Sequence, residues 1–229
     1  MEIDSLTLYD PPFKKIRLGK DYDGGYIICE IPDIEYDLFI SAGIDNDISF
    51  EEKFCEKYNT VNCYAFDGTI DDIKINNNNI KFIKKNIGIT NDDNTTNLLS
   101  LINNNNSLFL KMDIEGAEFK WLESLTEDQL NKFSQIVIEF HYPTSINVLS
   151  KINKLFYLVH FHGNNFCGFG HINNVPVPNV FECTYVNKKY ISIPNLNTKT
   201  LPIEIDMKNI KELVDHYIDY PPFVHKFNV

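Results

Sequence analysis

Short runs of β-branched and aromatic residues alternate along this chain with segments whose apolar positions recur every three or four residues. Such alternation predicts strands and helices in turn, the pattern of a largely parallel sheet covered by helices. Residues 37–41 (DLFIS) are expected to form the first core strand, and 48–58 (ISFEEKFCEKY) the helix after it. Further strands are expected at 61–66 (VNCYAF), 80–89 (IKFIKKNIGI), 107–112 (SLFLKM) and 135–140 (QIVIEF), with helices near 94–102, 117–125 and 145–155. Beyond these, 156–161 (FYLVHF) and 180–190 (VFECTYVNKKY) read as strands joined by a polar loop, a closing antiparallel hairpin. Asp23-Gly24-Gly25, between two apolar flanks, is a turn signal that places a β-hairpin ahead of the core. The tail from Met207 is expected to be a short helix ended by Asp219-Tyr220-Pro221-Pro222-Phe223.

Length and composition narrow this picture. A chain of 229 residues with 43% hydrophobic content is expected to form one domain. It divides into an N-terminal hairpin extension (1–35), a core (36–193) and a C-terminal tail (194–229). A formal charge of −11 and a single arginine, Arg17, argue against a nucleic-acid or anionic-membrane partner, and make bidentate phosphate clamps scarce. The five cysteines are odd in number and form no C-x-x-C pair, so they are expected to be reduced and mostly buried. There is no signal-peptide pattern and no apolar run near the roughly 18 residues of a membrane span, so a cytoplasmic protein is expected.

Candidate chemistry gathers at strand ends. In an open α/β sheet ligands bind beyond the carboxyl ends of the strands. The first core strand runs into Ser41-Ala42-Gly43, where a small residue lets backbone approach a ligand and helix-terminal amides favour an anionic group. Asp67, followed by Gly68, ends the second strand 24 positions after Gly43, where an acidic side chain can accept ribose hydroxyls; a capping aspartate is the alternative. Asp113, Glu115 and Gly116 follow the fourth strand, whose alternation points Lys111 to the side of Asp113. A buried lysine is costly unless paired, so an ion pair with one of these carboxylates is expected, or else a stem that snorkels outward. Glu139 and His141 share one side of the fifth strand, and with Asp113 they make a set suited to general-base catalysis or to a divalent metal such as Mg²⁺. His162, Asn164 and Asn165 are candidate substrate contacts, and metal binding by His160 and His162 is a lesser alternative. Tyr26, Trp121, Tyr142 and Phe166 are read as packing residues.

Taken together, Asp23-Gly24-Gly25-Tyr26, the Ser41-Ala42-Gly43 turn leading to Ser49-Phe50-Glu51, the string KMDIEGAE at 111–118 and His162-x-Asn164-Asn165 resemble the FkbM-type S-adenosylmethionine-dependent methyltransferases. The likeness spans about residues 14–191, and KMDIEGAE is its specific part. It implies a Rossmann-like seven-stranded sheet with an antiparallel last strand, S-adenosylmethionine as methyl donor, and commonly O-methylation of a sugar, nucleotide-sugar or natural product. By likeness, Ser41, Ala42 and Gly43 line the methionine end, Gly25 and Tyr26 close over it, Asp67 and Gly68 meet the ribose, and Asp113 faces the methyl group and acceptor. Glu115, His162, Asn164 and Asn165 would then bind the acceptor, with Asp113, His141 and Lys111 catalytic. Two rivals follow from the same residues: a non-catalytic interaction protein on this fold, and a metal-dependent hydrolase built on Asp113, His160 and His162.

Overall fold

In a computed structural model, which describes residues 5–226, seven strands form one central sheet. A hairpin of β1 (Lys15–Gly19) and β2 (Gly25–Cys29) precedes it. The sheet strands are β3 (Leu38–Ala42), β4 (Cys63–Phe66), β5 (Ile80–Ile83), β6 (Leu108–Met112), β7 (Phe133–His141), β8 (Phe156–Gly163) and, after the small hairpin of β9 (Phe169–Ile172) and β10 (Val175–Pro178), β11 (Val180–Asn187). Their order across the sheet is β5-β4-β3-β6-β7-β11-β8. Neighbours from β5 to β7 are parallel, whereas β11 runs antiparallel to both β7 and β8. The last strand therefore inserts between its two predecessors rather than closing the sheet at its edge.

Helices α1 (Ser49–Lys57), α2 (Leu99–Asn104), α3 (Glu118–Ser124), α4 (Glu127–Leu130) and α5 (Ile146–Leu155) bury their apolar stripes on the sheet. Phe50 and Phe54 of α1 pack with Phe39, Phe109 and Val137, beneath Tyr26 and Ile28 of the hairpin. The opposite sheet face, with Ile40, Leu110, Ile138 and Phe140, receives Ile102, Trp121, Leu130 and Leu149 from α2 to α5. Strands β3, β6 and β11 are buried along their whole length, Lys111 of β6 and Glu182, Thr184 and Asn187 of β11 included.

Two expectations are corrected. The 80–89 run does not stay one strand: after Ile83 come Lys84 and Lys85, and Asn86–Ile87 pairs separately with Thr95–Thr96. The 207–219 segment forms turns, not a helix. Asn165 takes its backbone groups instead: its carbonyl oxygen accepts from Ile210 N (2.8 Å) and its amide donates to Ile210 O (2.9 Å) and Leu213 O (3.3 Å). Tertiary hydrogen bonds thus satisfy groups that an i to i+4 ladder would have used.

Candidate functional site

The chain runs outward through β3, β4 and β5, then crosses to β6 on the other side of β3. The switch point of the sheet therefore lies between β3 and β6, where ligands of open α/β sheets bind. There the backbones nearly touch. Asp113 N donates to Ala42 O (2.9 Å), and Gly43 takes φ +74° with its missing Cβ only 1.6 Å from the place of Asp113 O. Only glycine fits this crossing.

Two cavities open here, and they share Gly43, Asp45 and Asp113. The larger, about 420 Å³, is bordered by Phe66, Asp67, Thr69 and Asn86; the smaller, about 70 Å³, by Lys20, Asp23, Tyr26, Glu51 and Lys111. The larger falls in the range of about 300–1,000 Å³ typical of small-molecule sites. Ser41 and Ala42, expected to line the methionine end, are wholly buried and border neither cavity. Gly68 packs against the Asn86 side chain and Gly25 against the Arg17 guanidinium.

Asp67 borders the larger cavity with all its acceptor positions engaged by its own loop and by the loop after β3. Oδ2 accepts from Ile44 N (3.1 Å) and Asp45 N (2.9 Å), and Oδ1 from the amide (2.8 Å) and hydroxyl (2.6 Å) of Thr69. A carboxylate offers about four such positions. Burial would raise its pKa, but the Thr69 bonds and the loop amides outweigh it and hold Asp67 below the usual value. It fixes the turn that shapes the cavity floor.

Lys111 was expected to meet a carboxylate, and instead donates to Gly43 O while lying 5.1 Å over the Tyr26 ring. The inward β6 position leaves it a carbonyl and an aromatic face, both acceptors of positive charge. Burial raises the pKa of Glu51, and the charge of Lys111 opposes that shift. Ser41 Oγ donates to Glu51 Oε1 at 2.5 Å. Tyr26 in turn donates from its hydroxyl to Asp113 Oδ2 (2.9 Å).

At the ends of β6 and β7, ligand atoms of Asp113, Glu139 and His141 lie within 4.8 Å of one another, the convergence expected of neighbouring strands. His141 Nε2 is 4.0 Å from Asp113 Oδ1 and 3.3 Å from Glu115 Oε2, while Nδ1 is 3.1 Å from Glu118 Oε1. Glu118 has no exposed surface, and its Oε1 also accepts from Ile114 N and Gly116 N, both at 3.1 Å. It thereby ties the loop after β6 to the histidine. Burial lowers the His141 pKa, yet Glu118, Asp113 and Glu115 raise it by more. Glu139 is pushed well up by burial and by Asp113 and Glu182, against one bond from Asn164 Nδ2 (2.9 Å).

Of the expected acceptor contacts, Glu115 and Asn164 reach this cluster, whereas His162 and Asn165 do not. His162 is buried, with Nε2 3.2 Å from both Asp215 oxygens and Nδ1 4.0 Å from Glu182. His160 Nε2 lies 2.9 Å from Asp206 Oδ1. Both histidines face the C-terminal segment, whose acids were invisible as partners in the sequence, so a metal centre of Asp113 with His160 and His162 is not formed. Trp121 packs as expected, but Tyr142 and Phe166 are 69% and 72% exposed, since each lies just past the end of its strand. The four cysteines Cys29, Cys55, Cys63 and Cys183 are free and buried; Cys167 is free and half-buried.

Glu118 and Glu51 lie inside the strings that carry the family resemblance but were given no role of their own, although a signal for one existed. Each sits on the apolar stripe of its helix, Glu118 with Trp121 and Leu122, Glu51 with Phe50 and Phe54. A carboxylate on a buried stripe requires a partner inside.

A mostly parallel seven-stranded sheet with its site at the switch point is consistent with the Rossmann-like methyltransferase fold. The family model of the Methyltransferase FkbM domain matches residues 15–166, and the chain belongs to that family. No match to a curated protein is found. The family makes the protein a methyltransferase, of a kind that generally uses S-adenosylmethionine. Among the described residues no helix is long and apolar enough to cross a membrane.

Proposed function

We propose that the protein transfers a methyl group from S-adenosylmethionine to a hydroxyl of a small molecule, with a sugar or nucleotide-sugar in glycan assembly as the acceptor class. The observation that carries this reading is the pair of joined cavities meeting at Asp113, with a proton-accepting cluster immediately beyond. The donor set suits the cofactor: the larger cavity has the size and the aromatic and polar walls for a nucleoside, and the smaller has both Lys111 and acidic side chains for the two charges of an amino-acid end. Gly43, Asp67 and Gly68 would border the nucleoside, with Tyr26, Gly25 and Asp113 at the methionine end. The bound cofactor supplies an electrophilic methyl on a sulfonium, already a good leaving group.

The protein's part is position and proton removal. Holding an acceptor oxygen in line is worth up to roughly 7–11 kcal/mol in well-oriented systems. Asp113 is itself held by the Tyr26 hydroxyl, so one oxygen stays fixed where the acceptor enters. With Nδ1–H donating to Glu118, neutral His141 would present Nε2, beside Asp113 and Glu115, to accept the hydroxyl proton, a contribution of about 10²- to 10⁴-fold. Glu115 and Asn164 would orient the remaining acceptor hydroxyls. A divalent ion on Asp113, Glu139 and His141 would take over the polarising of the reacting oxygen.

Transfer of labelled methyl to a panel of sugars and nucleotide-sugars tests the proposal. Wild type is expected to label a hydroxyl acceptor, and His141→Gln to lower kcat about 10²- to 10⁴-fold at unchanged cofactor affinity. Labelling only of nitrogen acceptors, or full rate in His141→Gln, would contradict it.

A further inference from the structure

We infer that Asp113, Glu139 and His141 bind one divalent first-row transition ion, Mn²⁺ or Zn²⁺, in preference to Mg²⁺. The ion's use in methyl transfer rests on the reading above; its binding does not.

Geometry supports the site first. The three ligand atoms lie within 4.8 Å of one another, and the 4.0 Å from His141 Nε2 to Asp113 Oδ1 can be spanned by two bonds of about 2.0–2.2 Å to one ion. Asp113 Oδ1 is buried and has no hydrogen-bond partner, while its other oxygen is taken by Tyr26. Glu139 is 3% exposed and receives Asn164 on Oε1. Among the described residues no lysine or arginine nitrogen lies within 4.0 Å of either carboxylate. A buried carboxylate beside an unpartnered buried carboxylate oxygen, with no lysine or arginine at hand, is costly, and a bound ion reduces that cost.

The surroundings support it independently. Glu118 receives Nδ1 of His141 and so holds the ring with Nε2 toward Asp113. A carboxylate that orients a histidine through its far nitrogen is the usual outer partner of a histidine ligand, and losing it typically costs about 10- to 100-fold in metal affinity. Three protein ligands leave open positions for water or an acceptor oxygen. The imidazole sets the preference among ions, because Mg²⁺ favours oxygen donors and keeps its waters, whereas Mn²⁺ and Zn²⁺ accept a mixed nitrogen and oxygen set.

The test is a titration of the metal-stripped full chain with MnCl₂, reading free Mn²⁺ by electron paramagnetic resonance, with Zn²⁺ and Mg²⁺ as competitors. One Mn²⁺ per chain is expected, displaced by Zn²⁺ far more readily than by Mg²⁺. Glu139→Gln and His141→Ala, each checked for folding by circular dichroism, should weaken it at least tenfold, and Glu118→Gln about 10- to 100-fold. No uptake by the folded wild type, or unchanged uptake in a folded variant of either ligand, would overturn the site. Displacement by Mg²⁺ as readily as by Zn²⁺ would overturn the choice of ion. S-adenosylmethionine titrated into the same metal-free protein reports separately on the methyltransferase reading.

Discussion

Gly43 occupies a left-handed conformation just past the end of β3, where its backbone crosses that of Asp113 after β6. Gly43→Ala would add strain of order 1–3 kcal/mol and drive a Cβ into the Asp113 carbonyl, which is backbone and cannot swing away. Urea unfolding should show a loss of at least that size, and a stability equal to wild type would mean that the crossing is looser than described. Glu118 acts on the same loop from below. Glu118→Gln keeps the volume but loses the charge that holds Ile114 N, Gly116 N and His141, with an expected cost of about 1–3 kcal/mol. Nitrogen-15 spectra of the histidines give a sharper readout: His141 should carry its proton on Nδ1 in wild type and lose that preference in the variant, whereas an unchanged tautomer would remove Glu118 as its positioning residue. At this scale Asp113, Glu139 and His141 were legible because strand alternation fixes which side chains share a face. The fates of Lys111, His162 and Asn165 were not, because each depends on a partner distant in sequence: Gly43, Asp215 and Ile210.

Among the elements, the C-terminal segment has the most conditional hold. It docks on β8 and β11 through His160 with Asp206, His162 with Asp215, and Asn209 Nδ2 donating to Glu182 (3.1 Å). Burial lowers the His162 pKa, but Asp215 and Glu182 raise it well above the ordinary 6.5. A raised histidine contributes stability that is complete below 6.5 and is lost as pH rises through the folded value. Asp206 has the opposite sign: burial raises its pKa, His160 and the Ile203 amide outweigh that, and the net lowering gives stability above 3.8 that is lost as pH falls. Protection of the 206–217 amides, taken relative to their intrinsic exchange rate at each pH, should therefore be greatest between these limits and fall on the alkaline side, and Asp215→Asn should lower it at neutral pH. Protection indifferent to both pH and Asp215 would show that apolar packing alone holds the segment. Most core strands and helices were legible in their patterns because burial on both faces leaves continuous apolar runs and burial on one leaves a stripe. The position of β11 was not, since insertion and edge addition demand the same buried strand.

For the whole molecule, a ligand that binds only the folded chain must raise its stability. At a hundred times Kd the gain is about 2.7 kcal/mol, or about 5–10 °C in Tm for a chain of this size. S-adenosylmethionine should produce such a shift, and its absence at millimolar cofactor would speak against a preformed site. The sequence's acidity also takes on a local meaning, because Asp23 and Asp113 line a cavity that also holds the buried Lys111. The central claim is that the switch point binds S-adenosylmethionine with Asp113 as the wall common to both cavities. Isothermal titration of the cofactor into wild type and into folded Asp113→Ala tests it most directly. One site per chain is expected, with its affinity weakened at least tenfold in the variant. No binding to the folded wild type, or equal affinity in both proteins, would contradict it.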